Sequence, residues 1–302
     1  MSETAVVRQQ RRPARPSVRE GWRPYWQDRR GRTVPIKAVT FALTLLPAIV
    51  VAAQYAAGDL GARPVKAVYL DCGLWAVRFL LISLAVTPAK VLFNWQQVAS
   101  VRRMLGVAAL AYAFLHLCIY TASEQFRVFF VASEIVHRIY LTIGFTALCG
   151  LGILGSTSFD TYVRRMGKRW RSLHRWVFVI TVLAVLHFFM QSKANVSEPT
   201  IMGGFYLWLL LWRALPIERR SSLLLLFAMI PVVAIGTAGL EIAWYGVATH
   251  IPVSRVIAAN LRIGPHFRPA EWVAIAATAV AAAVSFWRLL EWWRREPAPN
   301  PG

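Results

Sequence analysis

Acidic side chains are scarce in this sequence: 14 Asp and Glu stand against 34 Lys and Arg in 302 residues, a formal net charge of +20, and only 16% of residues are charged at all. So few charges cannot cover the surface of an ordinary soluble domain of this length, and a 57% hydrophobic content with 13 Trp calls for an apolar solvent. The basic excess does not point to nucleic acid, because Lys and Arg fall between long uncharged runs instead of striping one helix face. Cysteine is rare too. Cys72, Cys118 and Cys149 each lie inside an apolar run without CxxC spacing, which excludes a disulfide framework and a zinc knuckle and leaves packing as their role. No nucleotide-binding signature is read, and no loop is long enough to fold into a soluble domain that could hold a nucleotide.

What is present is a series of apolar runs near the ~20 residues that cross a bilayer. Eight candidate spans lie at roughly 37–57, 68–87, 104–121, 139–157, 175–191, 200–216, 222–248 and 271–290, which predicts an all-α, polytopic helical membrane protein. The Arg-rich first 35 residues show no cleavable signal peptide, and the first run, from Ile36, is expected to remain as an anchor. Basic residues alternate between the connections: the N-terminus, then Lys90, Arg102 and Arg103, then Arg164 to Arg171, then Arg213, Arg219 and Arg220, with Arg294 and Arg295 at the end. By the positive-inside rule both termini are cytoplasmic. The last two spans are rich in Ala and Val and read as an appendage. The chain therefore divides into a basic extension (1–35), a six-helix core (36–216), and two extra helices with a cytoplasmic tail (217–302). No convincing internal repeat is seen, and Pro231 alone is weak support for the broken helices of a transporter.

Histidine marks the chemistry. His116 and His187 lie within spans three and five, beyond Arg103 and Arg175 by nearly the same number of positions and so at nearly equal height. An ionisable group at that depth ordinarily faces the bundle interior and a partner. These two can ligate one iron from opposite sides, although a single such His can also serve only to hydrogen-bond a neighbouring helix. His174, thirteen positions before His187, sits about 20 Å lower at the inner boundary, a separation that suits two stacked haems or a solvated boundary residue equally. That many positions of ideal helix rotate His174 about 140° from His187, so tilt or a local irregularity must reconcile them. Fourteen positions before His116 stands Arg102, not a second His, and the lower level lacks an obvious second ligand.

Arg78, near the middle of span two, also needs a partner: a haem propionate, a carboxylate at a quinone site, or Asp71, two helical turns away. Glu241 reads as an interfacial residue. His137, His250 and His266 fall in outer loops and carry no assigned role.

Taken together, Thr87-Pro88, the run Arg102-Arg103-Met104-Leu105-Gly106 leading to His116, Ser156-Thr157-Ser158, the run Arg164 to Trp170, and Leu173-His174-Arg175 form an ordered set. The set covers about residues 40–215 and resembles the MsrQ (YedZ) family of haem-binding membrane subunits, within the ferric reductase-like transmembrane superfamily. The resemblance implies one or two b-type haems between the third and fifth helices, with His116, His187 and His174 as metal ligands and Arg102 and Arg78 beside the cofactor. It further implies an inner-membrane electron carrier. Such a carrier would take electrons from the quinone pool or a cytoplasmic flavin reductase and deliver them to a periplasmic molybdopterin enzyme that repairs methionine sulfoxide, the reversible rung of methionine oxidation. The family is also associated with FMN, for which no holding motif is visible. The rivals are a ferric or metal reductase component with a separate flavin partner, and a non-redox transporter or scaffold.

Overall fold

Proline sets where several helices begin. Pro35, Pro64 and Pro269 occupy the first turns of α1 (Pro35–Ala57), α2 (Pro64–Leu92) and α12 (Pro269–Trp293), where a missing N–H has no helical partner to lose. In this computed structural model, which describes residues 26–27, 32–192, 195–249, 251–262, 264 and 266–294, the described residues are helical almost throughout. Between these lie α3 (Arg102–Ser123), α4 (Val128–His137), α5 (Ile139–Ser156), α6 (Asp160–Met166), α7 (Lys168–His174), α8 (Val177–Gln191), α9 (Ser197–Ala214), α10 (Leu223–Ala248) and α11 (Val253–Leu261). The basic N-terminal residues before Trp26, His250 and Arg295 lie outside the described residues.

Seven helical segments, 35–57, 64–92, 96–123, 139–156, 168–191, 223–248 and 269–293, are long and apolar enough to cross a membrane, one fewer than the eight expected. The difference is the 200–216 run. It folds as α9, whose sequence is diluted by Glu198, Arg213 and two glycines, and whose Glu198 and Arg213 find partners inside the protein. Helix α9 packs against α2 and α8 on one side and α10 and α12 on the other, so it joins the histidine-bearing helices to the C-terminal ones. The protein is an all-α, multi-pass membrane protein.

Backbone groups freed by proline inside the spans are recovered by long-range contacts. In α1, Pro47 interrupts the hydrogen-bond ladder, and the Tyr112 hydroxyl of α3 inserts there: it accepts from the Ala48 N–H at 3.0 Å and donates to the Thr44 carbonyl at 2.8 Å. In α2, Pro88 leaves the Leu84 carbonyl without its i+4 donor, and Arg213 of α9 supplies one at 2.5 Å.

Two helix pairs, α2 with α3 and α5 with α8, pack most closely in the first part of the chain. Gly150, Gly152 and Gly155 of α5 carry a GxGxxG spacing, but inside one apolar helix, not at the strand-to-helix turn that binds a dinucleotide. Gly150 instead admits Ile180 of α8, and Gly155 admits Leu110 of α3.

Near the C-terminal end of α10, Glu241 is only 3% exposed, which corrects its reading as an interfacial residue. Its carboxylate accepts from Arg268 at 2.6 Å and from Asn260 of α11 at 2.9 Å, pinning the 249–268 connection to α10. That connection was expected to be a loop and contains α11. Cys72 is buried in the core beside α3, whereas Cys118 and Cys149 face outward, and all three are free thiols.

Candidate cofactor site

His116 projects from α3 and His187 from α8. The Nδ1 atom of His116 lies 2.6 Å from the carbonyl oxygen of Tyr69 on α2, and Nδ1 of His187 lies 2.8 Å from the carbonyl oxygen of Tyr140 on α5. A carbonyl can only accept, so each Nδ1 carries the hydrogen and donates it. The lone pair of each ring is thereby left on Nε2, the arrangement seen when a histidine binds metal with its other nitrogen held by the protein.

The two rings have centroids 6.4 Å apart and planes at 79°. A metal–imidazole bond is about 2.0–2.1 Å long and the ring centre lies roughly 1.1 Å behind the nitrogen, so two imidazoles on opposite sides of one ion have centroids roughly 6.3 Å apart. The observed separation fits one metal ion between them. Among the described residues no group of three or more His, Cys, Asp and Glu could hold a metal. Two imidazoles suffice for an iron that brings four nitrogens of its own, which is the situation of a haem.

Space for such a group is present. Both histidines line a cavity of about 990 Å³ between the helix pairs, walled by Tyr69, Gly73, Tyr140, Gly144, Ala147 and Leu151 among others. A Cβ added at Gly73 would come within 3.0 Å of the His116 ring, and one at Gly144 within 2.7 Å of the His187 ring. The donor set, the separation, the cavity and these two glycine cradles all fit a haem.

The remaining site residues expected from sequence are arranged differently. His174 closes α7, and the chain leaves helical hydrogen bonding at Arg175–Trp176 before α8 starts at Val177, a local irregularity between His174 and His187. Its ring stacks on Trp170 at 3.9 Å, and its Nε2 meets the Thr157 hydroxyl at 3.1 Å. The same hydroxyl also lies 3.0 Å from the Ile153 and Leu154 carbonyls. The Nε2 atom of His174 is thus engaged by a protein group. Arg102 and His174 line a second cavity, of about 580 Å³, at the α7 end of the bundle together with Arg103, Lys168, Arg171 and Arg175. Arg78 lines neither cavity. It pairs with Glu198 of α9 at 3.4 Å and lies over the Trp75 ring, while Glu198 itself reaches the outer cavity.

Sequence reasoning missed Tyr69, Gly73, Tyr140 and Gly144, and it also missed a repeat that marks them. Tyr-Leu-x-x-Gly occurs at 69–73 and at 140–144, and Ala-x-Leu-His at 113–116 and at 184–187. The Tyr-to-His spacing is 47 residues in both copies. The expectation of no repeat is thus corrected: one and the same offset carries Tyr69 to Tyr140 and His116 to His187. At that offset His174 corresponds to Arg103, whose guanidinium is bound by Asp160 at 2.5 Å, so the inner level does not repeat the histidine.

Comparison with known proteins agrees with this geometry. Residues 72–185 match the family described as ferric reductase like transmembrane component, a segment that contains His116 and ends just before His187. The chain is 42% identical over 196 residues to the protein-methionine-sulfoxide reductase heme-binding subunit MsrQ of Rhodospirillum rubrum, an alignment covering 64% of this chain and 92% of the relative. It is 38% identical to the proteins of the same name from Azospira oryzae, over 61% of this chain and 79% of the relative, and from Brucella anthropi, over 60% and 82%. No solved structure matches. A multi-pass membrane chain with two facing imidazoles in a haem-sized cavity, this protein belongs to the MsrQ family of haem-binding redox subunits.

Proposed function

We propose that the protein is a transmembrane electron carrier that holds a b-type haem between His116 and His187 and serves a periplasmic methionine sulfoxide reductase. The observation that carries this reading is the facing pair of rings, 6.4 Å apart with both Nδ1 atoms tied to backbone carbonyls. Bound in this way, a haem supplies one-electron chemistry at an iron with no open position, which suits electron transfer more than oxygen activation. The chain would contribute the ligands and their orientation, with apolar residues such as Leu80, Ala147 and Leu151 in the cavity wall. The distribution of Lys and Arg supports an inner-membrane orientation with both termini cytoplasmic, the histidine pair in the outer half and the cationic cavity facing the cytoplasm.

The names of the relatives support a partner that reduces methionine sulfoxide in proteins. On the donor side, the inner cavity favours an anionic, phosphate-bearing flavin over a neutral quinol. It is lined by Arg102, Arg103, Lys168, Arg171 and Arg175, with the Trp170 indole in its wall.

The test is optical. Full-length protein purified after haem-replete expression should show a b-type Soret band, with split visible bands on reduction. His116→Ala and His187→Ala should each remove that signal; a colourless wild-type preparation, or full haem in both variants, would refute the reading.

A further inference from the structure

An α-helical carbonyl that has accepted its i+4 N–H keeps a second lone pair. The side chain of residue i+4 ordinarily stands over that lone pair, because Cα–Cβ bonds tilt toward the helix N-terminus. In this protein residue i+4 is glycine at both places where a ligand histidine is held. Gly73 stands at i+4 from Tyr69 and Gly144 at i+4 from Tyr140. The imidazoles occupy the space that a Cβ would take. At Gly144 an added Cβ would meet three ring atoms of His187 at 2.7, 2.8 and 2.9 Å, and at Gly73 it would meet three ring atoms of His116 at 3.0, 3.3 and 3.6 Å. A ring pressed against glycine backbone on one face and held by a carbonyl at Nδ1 has little freedom to rotate. Tyrosine adds to the restraint: Tyr140 stacks on His187 at 6.3 Å and 17°, and Tyr69 meets His116 edge-on at 5.7 Å and 74°.

We infer that Gly73 and Gly144 are positioning residues that fix the planes of the two axial imidazoles at nearly a right angle, each by exposing the carbonyl one helical turn before it. The inference rests on ligation by His116 and His187 and adds what orients them. Its consequence lies in the iron's electronic structure. Each axial ring raises the iron d orbital perpendicular to its own plane. Crossed rings raise two orbitals almost equally, whereas parallel rings split them. The relative angle of the rings therefore governs the g anisotropy of the low-spin ferric state.

The test uses full-length protein loaded with haem and read by electron paramagnetic resonance, with haem stoichiometry measured on the same samples. Wild type should give the highly anisotropic low-spin signal of crossed imidazoles. Gly144→Ala should shift the largest g value down toward the rhombic type, and Gly73→Ala should do the same to a smaller degree, because its contact is looser. Gly152→Ala is the control: it lies on the same helix as Gly144 with nothing within 4 Å of an added Cβ, and should leave the signal unchanged. If Gly144→Ala does not accumulate, Gly73→Ala alone carries the test. The inference is overturned if the accumulating variants of Gly73 and Gly144 keep the wild-type g values, or if Gly152→Ala moves them equally. Failure of the ligand assignment looks different, since His116→Ala and His187→Ala would then retain their haem.

Discussion

Arg213 of α9 donates a hydrogen bond to the Leu84 carbonyl of α2, the acceptor that Pro88 leaves without its helical partner. The Thr87-Pro88 pair thus acquires a physical meaning: the proline opens the α2 ladder and α9 fills the opening. The same guanidinium lies over the Phe178 ring of α8, so one side chain ties three helices together.

Removing that donor leaves a carbonyl unsatisfied in an apolar setting. We expect Arg213→Ala to destabilise the protein by about 1–3 kcal/mol, measured as thermal unfolding in detergent. Pro88→Ala in the Arg213→Ala background should recover part of the loss, because the new N–H at position 88 can reach Leu84. A double variant no better than the single one would remove Leu84 from the explanation.

His116→Ala opens a hole the size of an imidazole next to the cavity. Free imidazole added during haem loading should therefore restore a low-spin spectrum to His116→Ala, and likewise to His187→Ala. Absence of rescue in both variants, with the fold intact by circular dichroism, would argue that the rings support the cavity without touching iron.

The Glu241–Arg268 pair is buried on one side only, Glu241 at 4% and Arg268 at 30% side-chain exposure. Breaking a fully buried pair costs about 3–5 kcal/mol, and the partial exposure of Arg268 lowers the expected penalty for Glu241→Ala to about 2–3 kcal/mol. The haem spectrum should be unaffected, because Glu241 lines neither cavity. A large haem loss in this variant would show that the C-terminal helices act on the site.

His174→Ala should leave the spectrum of the outer haem intact and slow reduction by a donor added from the cytoplasmic side, followed by stopped-flow absorbance. Reduction at the wild-type rate would exclude the inner cavity from electron entry. Loss of a separate haem fraction would instead make His174 a ligand in spite of its bond to Thr157.

The histidine pair is legible in the sequence because burying an imidazole in an apolar run is costly, and because counting from Arg103 and Arg175 puts both at one height. The residues that hold them are not, since a backbone carbonyl has no side-chain identity and the only trace of its use is a glycine one helical turn later. The repeat escapes notice because it rests on a few positions, Tyr-Leu-x-x-Gly and Ala-x-Leu-His, separated by apolar residues that vary freely. Arg78 visibly needs a partner, but Glu198 is 120 residues away and no periodicity links them. Glu241 misleads because a carboxylate near a span end looks the same in sequence whether water or Arg268 solvates it. The phase of His174 allows either tilt or a local irregularity, and the choice of a break, at Arg175–Trp176, is visible only in the structure.

Ownership of the two paired imidazoles is divided: α3 and its partner α2 hold one, while α8 and its partner α5 hold the other, one repeat further along the chain. Neither hairpin can close the site alone. A nascent chain whose second pair has not yet inserted offers a single imidazole, and only the fully threaded protein offers two. A group held by both rings would bind only the finished fold and stabilise it by mass action, so a haem bound there would hold the two helix pairs together.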